Sequence, residues 1–351
     1  MQGEPSEQAG SDALRHVVVG LMGGTIDADW NGAADTAVPL ETSIVPSYLD
    51  WLGLPGTREY RAITNADSRS LGQEQRGMLA DVLETSLTSG ALVTHGTYGM
   101  TESALFVEWN CPDLQFPVVF TGAWTPLKRV VLSDAGFNLG YAWAELRHLE
   151  PGVYICMNGE TFAPRGVMKL FNEGRFATMD VGALRKPFRP LRVILMGGTI
   201  DFLPDSSGRD TLVPGSSTFI ADYFRDTNVN RAVTFSRVAA VDSRDLTDQH
   251  FEALERSIKD SPVDEVIVAH GTLRMADTVE RLRDSMPLPG KAVVFTGANL
   301  PMNFPMTDAT FNLGAAMSAV RRLEPGFYIA FHGHILEPDE MRKLVGVEPG
   351  S

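Results

Sequence analysis

One set of motifs runs through the chain twice, in the same order. Met22-Gly23-Gly24-Thr25-Ile26-Asp27 returns as Met196-Gly197-Gly198-Thr199-Ile200-Asp201. Thr94-His95-Gly96-Thr97 returns as Ala269-His270-Gly271-Thr272, and Phe120-Thr121-Gly122-Ala123 as Phe295-Thr296-Gly297-Ala298. Ser133-Asp134-Ala135 with Phe137-Asn138-Leu139-Gly140 returns as Thr307-Asp308-Ala309 with Phe311-Asn312-Leu313-Gly314. Leu149-Glu150-Pro151-Gly152 returns as Leu323-Glu324-Pro325-Gly326. A repeat this long is a whole domain duplicated, not a solenoid of short units, and 351 residues hold two domains of ordinary size.

Within each repeat, short β-branched runs alternate with longer amphipathic stretches. Strands are expected at His16–Leu21, Tyr60–Thr64, Ala91–Thr94, Pro117–Thr121 and Val153–Met157, with helices over Gln73–Leu87, Thr101–Trp109 and Phe137–His148. Repeat 2 gives the same order: Arg192–Leu195, Val233–Val238, Phe251–Ile258, Val266–Ala269, Ala276–Ser285, Ala292–Thr296, Phe311–Leu323 and Phe327–Phe331. This alternation predicts an α/β fold: two tandem open, mainly parallel sheets covered on both faces, related as an internal pseudo-twofold duplication. The expected division is a disordered tail over 1–14, repeat 1 over 15–188 and repeat 2 over 189–348.

Composition narrows the function. A net charge of −14 excludes a basic nucleic-acid surface. No apolar run is long enough to span a bilayer, and the polar start does not read as a signal peptide. The two cysteines, Cys111 and Cys156, have no counterparts in repeat 2, so a reduced, cytoplasmic setting is expected. No cluster has zinc spacing, His332-Gly333-His334 reads as a strand end, and no metal or organic cofactor is expected.

Ligands in open α/β sheets bind at the carboxyl ends of the strands, where the Gly-Gly-Thr, His-Gly-Thr and Thr-Gly-Ala motifs fall. Thr25 and Thr199 follow glycine pairs that swing a side chain over the sheet edge. Such a hydroxyl is a nucleophile only if a base activates it; otherwise it serves the turn. Thr97 and Thr272 end a strand before a helix, beside N–H donors suited to an oxyanion or carboxylate. Lys169 and Lys343 occupy matching positions one strand later. A lysine held among hydroxyls, away from bulk water, can titrate low enough to act as a base.

Together these motifs resemble the bacterial-type L-asparaginase/glutaminase family, and specifically its amino-terminal domain, present here twice. The resemblance implies a Rossmann/flavodoxin-like sheet, a nucleophilic threonine at Thr25 and Thr199, a second threonine at Thr97 and Thr272, and a catalytic lysine at Lys169 and Lys343. It also implies a substrate-contacting serine at Ser68 and Ser243, and in repeat 1 it extends to Asn158 and Arg165. The family carries an aspartate directly after the second threonine, where this chain has Tyr98 and Leu273. Neither side chain pairs an α-ammonium in a dry pocket. Arg69 and Arg244, if they point inward, favour an anion.

These features lead to an amidohydrolase acting on a small amide, amide-bearing metabolite or peptide other than free L-asparagine. The alternatives are a lyase, cyclase or acyl-transfer step on the same scaffold, and a non-catalytic binding protein. The resemblance implies a site closed partly by a carboxyl-terminal domain of a neighbouring subunit, and no such domain is expected in this chain, whose second half reads as repeat 2. The two repeats are therefore expected to pack as an internal pseudo-dimer, and two chains to pair again as a homodimer.

Overall fold

The computed structural model describes residues 16–31, 33, 36–128, 132–178, 189–204, 212–214 and 218–348. The expected tail and most of the link between repeats lie outside the described residues. Repeat 1 runs β1 (His16–Leu21), β2 (Ala28–Asn31), β3 (Thr36–Pro39), α1 (Val45–Trp51), β4 (Thr57–Ala62), α2 (Gln73–Thr85), β5 (Gly90–Thr94), α3 (Met100–Asn110), β6 (Pro117–Thr121), α4 (Asp134–Leu146), β7 (Gly152–Met157), β8 (Glu160–Phe162), β9 (Val167–Leu170) and β10 (Arg175–Thr178). Repeat 2 follows with β11 (Leu191–Gly197), β12 (Phe202–Pro204), β13 (Leu212–Pro214), α5 (Phe219–Asp226), β14 (Val233–Val241), α6 (Asp248–Lys259), β15 (Glu265–Ala269), α7 (Met275–Ser285), β16 (Ala292–Thr296), α8 (Asp308–Val320), β17 (Gly326–Phe331), β18 (His334–Leu336) and α9 (Pro338–Val345).

Each repeat builds one open six-stranded sheet, in the order β4-β1-β5-β6-β7-β8 and β14-β11-β15-β16-β17-β18. All neighbours are parallel except the edge hairpins β7–β8 and β17–β18. The central strands β5, β6, β15 and β16 are buried along their whole length, as runs such as Val118-Val119-Phe120 require when both faces are covered. Strand β4 begins earlier than its β-branched run suggests, at Thr57 rather than Tyr60, because it pairs with β1 from His16 onward.

One face of each sheet packs on its own helices, α2 and α3 in repeat 1 and α6 and α7 in repeat 2. The other faces meet in a shared core holding Tyr48, Phe137 and Trp143 of repeat 1 with Tyr223, Phe311 and Met317 of repeat 2. Helices α4 and α8 lie in this shared layer. Both are buried on almost every face, mostly by apolar residues; Asp134, Asn138 and Glu145 of α4 and Asp308, Asn312 and Ser318 of α8 are among the buried polar exceptions. They approach through glycine: a Cβ on Gly140 would stand 2.0 Å from the Phe311 carbonyl oxygen, and one on Gly314 2.1 Å from that of Phe137.

Further contacts repeat with the same exchange. Tyr48 donates to Thr307 O at 2.9 Å, and its counterpart Tyr223 donates to Ser133 O at 2.9 Å. Arg147 Nη1 donates to Gly333 O at 2.6 Å, and Arg321 Nη1 to Gly159 O at 3.4 Å. The duplicated domains therefore face each other across a pseudo-twofold axis.

Candidate active site

In each repeat the motifs converge where the sheet's first and third chain segments end. Gly23 and Gly24 take φ of 72° and 87°, a region open to glycine at little cost. Gly24 lies so close to the His-Gly-Thr loop that a Cβ there would sit 2.3 Å from Gly96 Cα. Gly198 and Gly271 repeat that approach at 2.3 Å. The contact holds the Gly-Gly-Thr and His-Gly-Thr loops together, so that Thr25 and Thr97, and Thr199 and Thr272, each follow a glycine of the contact. The Thr25 side chain is half-buried.

The histidines of these loops are struts. His95 bonds Gly96 O at 2.7 Å and Ser103 Oγ at 2.9 Å, and His270 bonds Gly271 O and Thr278 in the same way. Burial pushes both imidazoles down to about 4, so they are neutral at physiological pH. Ser68 is buried, accepts from the Gly99 N–H at 3.2 Å and packs against Gly96. Ser243 packs against Gly271 likewise.

Lys169 distinguishes the two repeats. It extends from β9, in the hairpin with β10, and its Nζ lies 2.7 Å from Thr97 Oγ1. Three rings surround the same nitrogen: the centroids of Tyr98, Trp124 and Phe171 lie 3.7, 4.3 and 4.9 Å away. Aromatic faces attract a cation but replace few of its water hydrogen bonds. Burial, and secondarily the charge of Arg69, push the ammonium down to about 8, with Asp67 opposing. Trp124 is positioned by Asp134, a buried carboxylate that accepts from the Trp124 and Thr125 N–H groups, each at 2.9 Å.

Sequence reasoning missed Trp124 and Phe171. A signal existed for each: Trp124 immediately follows Thr121-Gly122-Ala123, and Phe171 stands two residues after Lys169, on the same side of an extended chain.

Several expected residues lie elsewhere. Arg69 and Arg244 do not point inward. Each folds back on the aspartate two residues before it, Asp67 or Asp242, with side chains 66% and 69% exposed. The short loop between them makes this bidentate pairing easy. The Arg69 guanidinium also stands 5.2 Å from the Tyr98 ring centroid. Arg165 forms an exposed pair with Glu108. Asn158 is buried and ties β7 to the Phe176 N–H and the Thr227 carbonyl, a structural task. Lys343 sits on the exposed side of α9, and no hydrogen bond joins it to Thr272. Where repeat 1 builds the β9–β10 hairpin, repeat 2 builds this helix, anchored by Arg342 to Asp277 and Glu280 of α7. The equal sequence offset therefore does not bring Lys343 into the place of Lys169. Leu273 and Asn299 also stand in place of Tyr98 and Trp124, so two of the three rings around Lys169 have no counterpart in repeat 2.

Among the described residues, no group of three His, Cys, Asp or Glu side chains could hold a metal ion, and no helix is long and apolar enough to cross a membrane.

Comparison with known proteins now adds to the geometry. The family described as Asparaginase, N-terminal matches residues 16–186 and again residues 190–348. The chain belongs to this family, with its domain present in tandem. It is 37% identical over 81 residues to an L-asparaginase of Thermococcus kodakarensis, covering 23% of this chain and 25% of that protein. It is 26% identical over 209 residues to a glutaminase-asparaginase of Pseudomonas aeruginosa, covering 55% and 54%. The chain thus spans between a quarter and about half the length of these curated relatives. Among solved structures, a probable cytoplasmic L-asparaginase from Campylobacter jejuni aligns over 95% of this chain and 100% of that one, with 18% identity and a TM-score of 0.40.

Proposed function

We propose that the protein is an amidohydrolase whose working site lies in repeat 1. The observation that carries this reading is the Lys169–Thr97 contact at 2.7 Å, made by a lysine whose ammonium is pushed down to about 8. A lysine titrating near neutrality can take a proton and return it. Thr25 is the nucleophile of the proposal: it follows the glycine that meets the Thr97 loop, and among the described residues no hydrogen bond engages its hydroxyl. It attacks the amide carbon while its proton passes to the Thr97–Lys169 pair. The tetrahedral intermediate collapses, ammonia leaves with that proton, and water hydrolyses the resulting ester.

The charges around Lys169 support a substrate without a free α-amino group. Asp67 is the nearby carboxylate, and it is engaged by Arg69. Tyr98, in the family's aspartate position, offers a ring already occupied by Lys169 and Arg69. A second ammonium would meet two cations, Lys169 and Arg69, beside a carboxylate that Arg69 already holds. A neutral or acidic amide, such as succinamate, an N-acyl asparagine or an asparagine-containing peptide, avoids that repulsion. A cytoplasmic location and a homodimer remain part of this proposal.

The test is ammonia release from L-asparagine, L-glutamine, N-acetyl-asparagine, succinamate and an asparagine-containing peptide. Release from the amides lacking a free α-amino group, abolished by Thr25→Ala and Lys169→Met, is the expected result. Release chiefly from free asparagine would overturn the substrate reading. Release unaffected by either substitution would overturn the site.

A further inference from the structure

The pseudo-twofold axis allows each side chain at the repeat interface to be compared with its counterpart, and one of the differences opens a cavity. On one side of the α4–α8 contact the space is filled. Tyr141 OH accepts from Arg321 Nη1 at 3.0 Å. Glu145 accepts from Arg322, from Ser318 Oγ at 2.8 Å and from Thr161 Oγ1 at 2.7 Å. The Glu145 side chain is 3% exposed. Burial works against its charge, but the hydrogen bond and charge of Arg322 hold the carboxyl below its usual range.

On the other side the counterparts of Tyr141 and Glu145 are Ala315 and Ala319. A phenol and a carboxylate are missing, and a cavity of about 140 Å³ opens there, lined by both alanines with Arg147, His148, His334 and Arg322. The basic partners of the filled side are kept. Arg147 is the counterpart of Arg321 and makes the matching bond to the turn carbonyl, Gly333 O. His148 is the counterpart of Arg322. The change of Glu160 and Thr161 to His334 and Ile335 removes an acid and a hydroxyl and adds a base. Burial, followed by the charges of Arg147 and His332, pushes His334 down.

We infer that this interface cavity is a binding site for a small carboxylate with a flat apolar body, which restores the ring and carboxylate that the alanines removed. Size, lining and charge agree on the class. An apolar cavity of about 150 Å³ accepts a benzene ring. The alanine floor suits a ring, and a rim of arginine and histidine suits a carboxylate. The site lies between the repeats, apart from the Thr25–Lys169 site, so the inference does not depend on the proposed reaction.

Benzoate is the probe, with toluene (ring without charge) and acetate (charge without ring) as comparisons. Titration of the full chain should show saturable benzoate binding, at least tenfold tighter than toluene or acetate. Ala315→Leu, which fills the floor, should weaken benzoate at least tenfold while ammonia release stays unchanged. Ala319→Glu, which restores the missing carboxylate, should do the same and serves if the leucine variant does not fold. Crystals soaked in 4-bromobenzoate should show the bromine between α4 and α8. No saturable binding, benzoate binding unaltered in the variants, bromine elsewhere, or equal affinity for toluene would each overturn the proposal.

Discussion

At the scale of single residues, Lys169 is a cation held by rings where its family supplies a carboxylate. Rings stabilise a charge less than a carboxylate does, so the neutral form becomes accessible at moderate pH. The sign for catalysis follows from the direction of the shift. A base works unprotonated, so activity should rise with pH through a midpoint near 8, the titration point that burial sets. For stability, the protonated lysine is disfavoured in the folded state. That penalty is full below about 8 and fades as the pH approaches the ordinary value of 10.5. Tyr98→Asp restores a carboxylate beside the ammonium and should raise the midpoint by about 1–3 units. The same variant gains a partner for an α-ammonium, so its use of free asparagine should improve relative to succinamate. Rate profiles of both proteins from pH 6 to about 10.5 decide this; an unmoved midpoint would mean that the ring cluster does not set the lysine's titration.

At the scale of secondary-structure elements, the contact between α4 and α8 controls how the domains meet. Gly140→Ala places a methyl group against the Phe311 carbonyl, which belongs to a buried helix and cannot yield without moving it. It should cost about 1–3 kcal/mol, the usual range for overpacking. Gly77→Ala in α2 is the control, because its new methyl meets nothing within 4 Å, and it should add about 0.5–1 kcal/mol. Urea unfolding of both variants checks the pair. The elements that sequence made legible are those with a long pattern: the buried strands, and α4 and α8, thirteen residues each. The short elements α1 and α5 and the β2–β3 and β12–β13 hairpins carry too few residues to show a period, and tertiary packing decides them. The site divided in the same way. Thr25 and Thr97 could be placed from glycine turns and strand ends. The cage around Lys169 could not, because it joins four residues brought together by three different loops. The α9 helix was readable from Pro338 at its first turn, followed by Asp339 and Glu340. Those signals would have set Lys343 apart from Lys169.

At the scale of the whole molecule, duplication preserved one feature and released another. The buried framework is nearly identical in the two repeats: the glycine approaches, the neutral histidines, and the Asp134 and Asp308 anchors that hold the loop after β6 and β16. Each repeat covers the other's apolar face, so neither framework can decay without exposing the shared core. The lysine arm stands outside the six-stranded sheet, in the separate two-stranded β9–β10 hairpin, and repeat 2 exchanged it for a helix that packs on α7 through Arg342. A molecule with one working site and one scaffold site responds unequally to matched substitutions. Thr199→Ala and Lys343→Met should leave kcat at the wild-type value, whereas Lys169→Met should lower it about 10²–10⁴-fold, the range for losing a general base. A molecule with two equal sites would instead lose half its rate from either member of a pair, and a site shared between repeats would lose nearly all of it from both. Active-site counting with a slow-turnover substrate separates these cases: one equivalent of ammonia per chain in the burst supports a single site, and two equivalents would show that repeat 2 also turns over.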